Sequence, residues 1–340
     1  MHFTSSGFAK GALISVLVVA VAFGLLKSLG YTGSGRDPDD PAVLAQEARG
    51  NLEKVRQRKP SDRRPASYDS VMTPLDKLLR QARDQIESDT YDPVADFEKI
   101  RSFTVPVIDI AAEAAVQAQK ETGPLAKEFR FNDQKGEASQ YLANAMWERI
   151  NARLPRQSTA MDEPPAYPAG EMAELRRVLD AGIEAAQDNR SLFYIRAVVS
   201  RAEGLFAAAA RDLERAVAID PGFSAAWNVL GLVRISLKEF DQAEEALERA
   251  RQLALEEARR FNGEPGAEYT SIIYNLASFH ENLAAYYNRE NRVHPTVESR
   301  RLLDKHTAEA RKYLEEFLAR EPSGSPDARA AVSRLNALPR

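Results

Sequence analysis

The sequence predicts an all-α protein: an N-terminal transmembrane helix, a helical region, and then an α-solenoid of antiparallel helix hairpins. Three observations predict it. Phe206 recurs as Phe240, Ala209 as Ala243, Leu213 as Leu247 and Ala216 as Ala250, each pair 34 positions apart. That period belongs to stacked helical hairpins, which cannot bury their apolar faces alone and so pack on their neighbours. Elsewhere apolar residues recur at helical spacing, as in Leu75, Leu78, Leu79, Ala82 and Ile86. Finally, the sixteen residues 11–26 carry no charge and are flanked by Lys10 and Lys27.

Taken from the N-terminus, residues 1–10 form a short head and 11–31 the expected transmembrane signal anchor. With a lysine at each end and Phe8, Leu29 and Tyr31 as interfacial extensions, the segment can cross a bilayer core of about 30 Å. A cleaved signal peptide is the rival reading, because Ala20-Val21-Ala22 has the small-x-small form of a cleavage site. Either reading sends the chain through the secretory machinery. The expected location is a bacterial inner membrane, single-pass, with the C-terminal part exported, although the lysine and arginine count is nearly balanced across the segment.

Residues 32–68 read as a tether with partial helix. The glycine- and proline-rich run over 30–41 is flexible and then stiff. Residues 42–58 have helical composition interrupted by Gly50, and Pro60 and Pro65 stop any helix. The helical region spans 69–155. Thr73-Pro74 suits a capped helix start, Asp92-Pro93 opens another turn, Val105-Pro106 restarts the pattern until Gly123-Pro124, and 137–154 form a further helix. The Pro-rich stretch 156–168, with Pro164, Pro165 and Pro168, is the expected linker to a repeat domain over 169–338.

Composition sets bounds on function. The chain has 340 residues, 44% apolar and 28% charged, which fits a folded body. With 46 basic and 50 acidic residues the net charge is −4, which gives no electrostatic footprint for nucleic acid. There is no cysteine, so thiolate metal sites, cysteine nucleophiles and disulfides are excluded. Four histidines leave little material for a histidine-rich metal site.

Within the repeat domain, residues 190–223 and 224–257 align as two 34-residue units. Each has an aromatic at the fourth position (Phe193, Trp227), a small residue at the eighth (Ala197, Gly231) and alanine at the twentieth (Ala209, Ala243). Small residues at eight and twenty let two antiparallel helices cross closely. This set resembles the tetratricopeptide repeat, with Trp227, Leu230 and Gly231 matching best. The sequence departs from that pattern at Ser200 and Arg234, where tyrosine is usual, and at position 255, which is not proline. A third unit carries Ile273, Leu276 and Ala277 in its first helix and Ala310, Leu314 and Pro322 in and after its second. About 21 residues are inserted between them; such insertions become loops or helix extensions on one face, and 288–305 is read as a candidate functional loop. Ser325 and Pro326 open a capping helix.

The resemblance implies a peptide groove lined by fixed positions of each unit's first helix. Those positions are Tyr194, Val198 and Arg201 in the first unit and Asn228, Leu232 and Ile235 in the second. In the third they are Tyr274, Ser278, Glu281 and Asn282. The alternative, that several of these side chains only pack on a neighbouring helix, is equally weighted.

No catalytic, cofactor or metal residue is expected. His280-Glu281 begins like a zinc-protease helix, but position 284 is alanine where the second ligand belongs. There is neither a phosphate-binding glycine loop nor a serine-nucleophile elbow. The expected function is a membrane-anchored adaptor or scaffold that binds a protein partner, as a peptide or helix in the groove, within an envelope complex. The lipid bilayer is contacted through 11–31. The alternatives are a self-associating structural component, hence a homo-oligomer built through helices 69–154, and an enzyme with an unrecognised site in 69–165.

Overall fold

In the computed structural model the described residues are 37–59, 63, 65–122, 126–154, 166–261 and 263–339. They form twelve α-helices and one 3₁₀ turn, with no strand among the described residues. The helices pack into two units that divide within a single helix, between Arg196 and Ala197.

The N-terminal unit contains α1 (Pro41–Gln57), a 3₁₀ turn (Pro65–Tyr68), α2 (Asp69–Ile86), α3 (Phe97–Thr122), α4 (Ala126–Arg153), α5 (Ala169–Ala185) and the start of α6 (Arg190–Ala202). Successive helices from α1 to α5 pack on each other, and α1 also reaches α3 as α2 reaches α4. Helix α1 runs unbroken through Gly50, unlike the interrupted pattern expected. Leu44, Ala48, Leu52 and Val55 bury one face, and an added Cβ at Gly50 would meet nothing within 4 Å, so that glycine sits on the solvent side. Tertiary burial outweighs the ~1 kcal/mol helix penalty of one glycine.

Helix α2 likewise begins at Asp69, ahead of the expected start at Thr73, and carries Pro74 inside it. A proline there has no N–H to offer the Ser70 carbonyl. The Asn51 side-chain amide donates to that carbonyl instead, at 2.8 Å, which explains why the helix tolerates the ring. Between α4 and α5 the backbones approach closely: a Cβ at Gly182 would lie 2.7 Å from that of Ser139.

The anchor expected over 11–31 and the head before it lie outside the described residues, as does most of the Pro-rich linker. Among the described residues no helix is long and apolar enough to cross a membrane. The longest, α4, has 28 residues but includes Glu137, Glu148, Arg149 and Arg153. The expectation of a single-pass membrane protein with an exported C-terminal part is corrected accordingly.

The C-terminal unit holds the end of α6, then α7 (Phe206–Ile219), α8 (Ser224–Leu237), α9 (Phe240–Arg260), α10 (Ala267–Val293), α11 (Val297–Leu318) and α12 (Pro326–Ala337). From α7 onward each helix packs on the next, and α8 also touches α10. That is the stacking of a solenoid, first helix on first helix. The 34-residue period reaches the backbone itself. Leu205 N–H donates to Ser200 O at 2.8 Å and Gly204 N–H to Arg201 O at 3.0 Å; 34 residues on, Glu239 N–H donates to Arg234 O at 2.9 Å and Lys238 N–H to Ile235 O at 3.0 Å.

Both turns need a left-handed residue, at φ 77° for Gly204 and φ 65° for Lys238. Glycine takes that conformation freely and lysine does not. Lys238→Gly is therefore expected to stabilise this unit by roughly 1 kcal/mol, read as a higher denaturation midpoint at unchanged slope. A lower midpoint would show that the Lys238 side chain contributes more than its backbone strain costs.

The insertion in the third unit takes the form of helix extension, one of the two expected, and 288–305 is not a long loop. Helices α10 and α11 extend to 27 and 22 residues, and only His294, Pro295 and Thr296 separate them. Thr296 and Ser299 close a reciprocal cap, Ser299 N–H to Thr296 Oγ1 at 2.9 Å and Thr296 N–H to Ser299 Oγ at 3.0 Å.

Candidate functional site

The site is built on the crossing of α8 and α9. A Cβ at Gly231 would stand 2.6 Å from Leu247 Cγ and 3.2 Å from the Ala243 carbonyl oxygen, so only glycine admits this approach. The close crossing stacks α10 against the same pair. Asn228 is 1% exposed and accepts a hydrogen bond from the Asn275 amide of α10 at 2.9 Å. Leu232 is also buried, and Ile235 packs partly buried against the core of α9 to α12.

Val198 and Arg201, in the C-terminal unit, are half-buried; Tyr194, also half-buried, belongs to the N-terminal unit. The positions read as groove thus divide by environment. Asn228 and Leu232 hold the helix stack together, while Val198, Arg201 and Ile235 keep part of their surface open.

The third-unit positions converge on one residue of α12. Arg334 Nε meets both Glu281 carboxylate oxygens, at 2.9 and 3.2 Å, and its Nη2 reaches Glu281 Oε2 at 2.5 Å and Ser278 Oγ at 2.7 Å. Its guanidinium carbon stands 4.4 Å from the centre of the Tyr274 ring. Asn282 donates to the Ser278 carbonyl at 2.7 Å within α10. Tyr274, Ser278 and Glu281 are therefore brought together, with Arg334 as the common partner. Fifty-three residues separate Arg334 from Glu281, so no local pattern could have revealed the pair.

Deeper in the α10–α11 hairpin lies a buried histidine pair. His280 and His306 face each other through Nδ1 atoms 2.9 Å apart. A hydrogen bond at that distance needs one ring to donate from Nδ1 and the other to accept at Nδ1 with its own proton on Nε2, so the accepting ring is neutral. Burial, with the charges of His306, Lys305 and Lys312 adding to it, holds His280 down to about 3. His306 is also lowered, by burial and Lys305, against the pull of Glu244 and Glu309.

The rings form a ladder: Tyr287 stacks on His306, His306 on His280, and His280 on Tyr313. The Tyr313 hydroxyl donates to Glu248, which also accepts from Arg251 Nε at 3.0 Å. Burial and that carboxylate push the Tyr313 hydroxyl well above its ordinary range.

Beside the ladder a cleft of about 360 Å³ opens between the α8–α9 turn and the α10–α11 hairpin, lined by Lys238, Phe240, Glu244, Tyr287, Lys305 and His306 among others. None of these was a groove position in the sequence. Lys305 closes one wall by pairing with Glu244 at 3.1 Å. Among the described residues no group of three or more histidines and carboxylates could hold a metal ion.

Residues 200–261 match the family model of the tetratricopeptide repeat. No curated protein matches the chain. Several solved structures are similar at low identity. The C-terminal part of a TPR repeat-containing protein from Cytophaga hutchinsonii is 12% identical with a TM-score of 0.37, covering 93% of this chain and 92% of that one. Cut9 with Hcn1, from the APC/C hetero-tetramer, is 15% identical with a TM-score of 0.36, covering 94% of this chain and 52% of that one. The TPR2AB domain of yeast Sti1, in complex with pHSP90, is 16% identical with a TM-score of 0.27, covering 69% and 85%. With the α8–α9 crossing, the repeated turns and the matched segment, the described residues form an all-helical stack whose residues 200–261 match the tetratricopeptide repeat.

Proposed function

We propose that this protein is a scaffold that holds a segment of another polypeptide against the first-helix face of its C-terminal repeats. The observation that carries the reading is the repeat stack itself: two hairpins whose turns share one geometry 34 residues apart, matched to the tetratricopeptide repeat over 200–261. Stacked hairpins of this kind present a continuous side-chain surface without needing a catalytic centre. The part-open Val198, Arg201 and Ile235 supply mixed apolar and polar contacts that suit an extended or helical peptide.

A photo-crosslinking side chain placed at Ile235 is expected to capture one discrete polypeptide in native extract, while the same group at Glu245, on the exposed side of α9, captures none. Adducts of equal pattern from both positions would sink the reading. An adduct with the mass of a second copy of the chain would replace the scaffold with self-association.

A further inference from the structure

The C-terminal helix is held by few apolar contacts. Of its residues only Ala328 and Ala331 are buried, with Leu338 just beyond its end, and Val332 is 45% exposed. Two methyl groups, one buried leucine and the half-buried Leu335, which packs against the core, give a modest hydrophobic hold. The polar contacts are correspondingly rich.

Arg334 makes a forked approach to the Glu281 carboxylate, donates to the Ser278 hydroxyl and lies over the Tyr274 ring. The side chains of Arg334 and Glu281 are 22% and 19% exposed, so water screens the pair only partly. Carboxylate, hydroxyl and aromatic face together select a planar guanidinium over an ammonium, because only the fork reaches both oxygens while stacking on the ring. Nη1 of Arg334 is buried without a hydrogen-bond partner, so the cis contact leaves one donor unmet.

We propose that Tyr274, Ser278 and Glu281 form an arginine socket, which the protein's own C-terminal helix occupies and which a partner enters by presenting an arginine in place of Arg334. The partner segment is a helix with a small residue three positions before the arginine, as Ala331 precedes Arg334 on α12, because the first must sit against the core where Ala331 is fully buried. The α12 helix is then a displaceable occupant. The Gly324 turn before it, at φ 84°, supplies the point about which it swings. This inference rests on the protein-binding reading above and names the chemistry of its partner.

The test uses the full chain. Ala331→Asp places a charge at a fully buried methyl and undocks α12. The probe is a fluorescent synthetic peptide of residues 322–339, and its twin carries Arg334→Gln. The arginine peptide is expected to bind the Ala331→Asp chain at least tenfold tighter than the wild-type chain, whose socket is filled. The glutamine twin, or Glu281→Gln added to the undocked chain, is expected to lose at least tenfold.

Equal binding of both peptides, or no gain on undocking, overturns the proposal. Should Ala331→Asp unfold the unit, Arg334→Gln alone decides by hydrogen exchange. Amides of 326–337 are expected to lose at least tenfold protection while those of α8 to α11 keep theirs, and unchanged protection of α12 overturns the socket. A working socket in a chain that captures no partner would refute the scaffold reading alone. A captured partner with a dead socket would refute only the inference drawn here.

Discussion

Leu247→Ala is expected to cost the C-terminal unit roughly 2–5 kcal/mol, and adding Gly231→Ala to it is expected to return part of that loss. Leu247 is fully buried where α8 crosses α9, so truncation leaves a cavity at the tightest contact of the repeat. In the wild-type background Gly231→Ala gains about 1 kcal/mol of helix propensity. It also drives a methyl to 2.6 Å from the Leu247 branch carbon. Overpacking of that kind costs about 1–3 kcal/mol, so the single variant is a net loss.

With Leu247 shortened, the overlaps at 2.6 and 2.8 Å with its side chain are gone, only the tight 3.2 Å approach to the Ala243 carbonyl oxygen is left, and the propensity gain remains. The double variant should thus be more stable than Leu247→Ala alone, with a coupling energy on the order of 1–3 kcal/mol. Denaturant melts of the four chains measure it. Strict additivity would mean that the glycine is not there to admit Leu247, and the physical explanation of the small eighth position would fail with it.

That crossing was readable in advance because it is a local rule repeated at fixed spacing. Gly231 and Ala243 are small for the same reason, and a sequence shows both. The same holds for Ser325, whose hydroxyl accepts from Ala328 N–H at 2.9 Å with Pro326 at the first helical position.

What the sequence could not show were contacts that join distant positions through the stack. Asn228 looked like a groove residue from its place in the unit, yet its amide is buried against Asn275 of α10, because α10 covers that face. Pro74 looked like a helix start, since nothing local reveals that Asn51 supplies the missing hydrogen bond. The insertion could have been loop or helix extension because a count of added residues gives no direction; in the structure they lengthen two helices. The arginine socket was half visible. Tyr274, Ser278 and Glu281 were singled out by position, while Arg334 sat in a helix read only as a cap.

Acidification is expected to unfold the same unit from its histidine ladder. His280 has an ordinary value of 6.5 and is held at about 3 when folded, and His306 is lowered as well. Below the ordinary range the unfolded chain binds protons that the folded hairpin refuses, so stability is complete above about pH 6.5 and is lost progressively as the pH falls toward 3. A fully protonated unfolded histidine costs about 1.4 kcal/mol per pH unit. At a pH two units below its ordinary value His280 alone accounts for roughly 2–3 kcal/mol, and His306 adds to it.

Burial sets this sign, and the groups facing the pair modify it. Lys305 and Lys312 oppose a proton on His280, and His306 feels Lys305 against Glu244 and Glu309. A proton on the accepting ring also removes the acceptor of the Nδ1–Nδ1 bond, because its Nδ1 carries the lone pair that bond uses. In the N-terminal unit the half-buried Asp109 and the exposed Asp133 are raised, by desolvation and then by the neighbouring carboxylates of Glu113 and Asp188 respectively, which relieves that unit as the pH falls. The loss should therefore be local. Hydrogen exchange of α10 and α11 amides, corrected for intrinsic rate, is expected to show protection falling between pH 7 and about 4.5. In His280→Phe/His306→Phe the stacked rings remain, both ring-nitrogen partners leave together, and protection should stay level. If the double variant loses protection with the wild-type slope, the histidines are not the proton-binding groups and the ladder is a packing feature only.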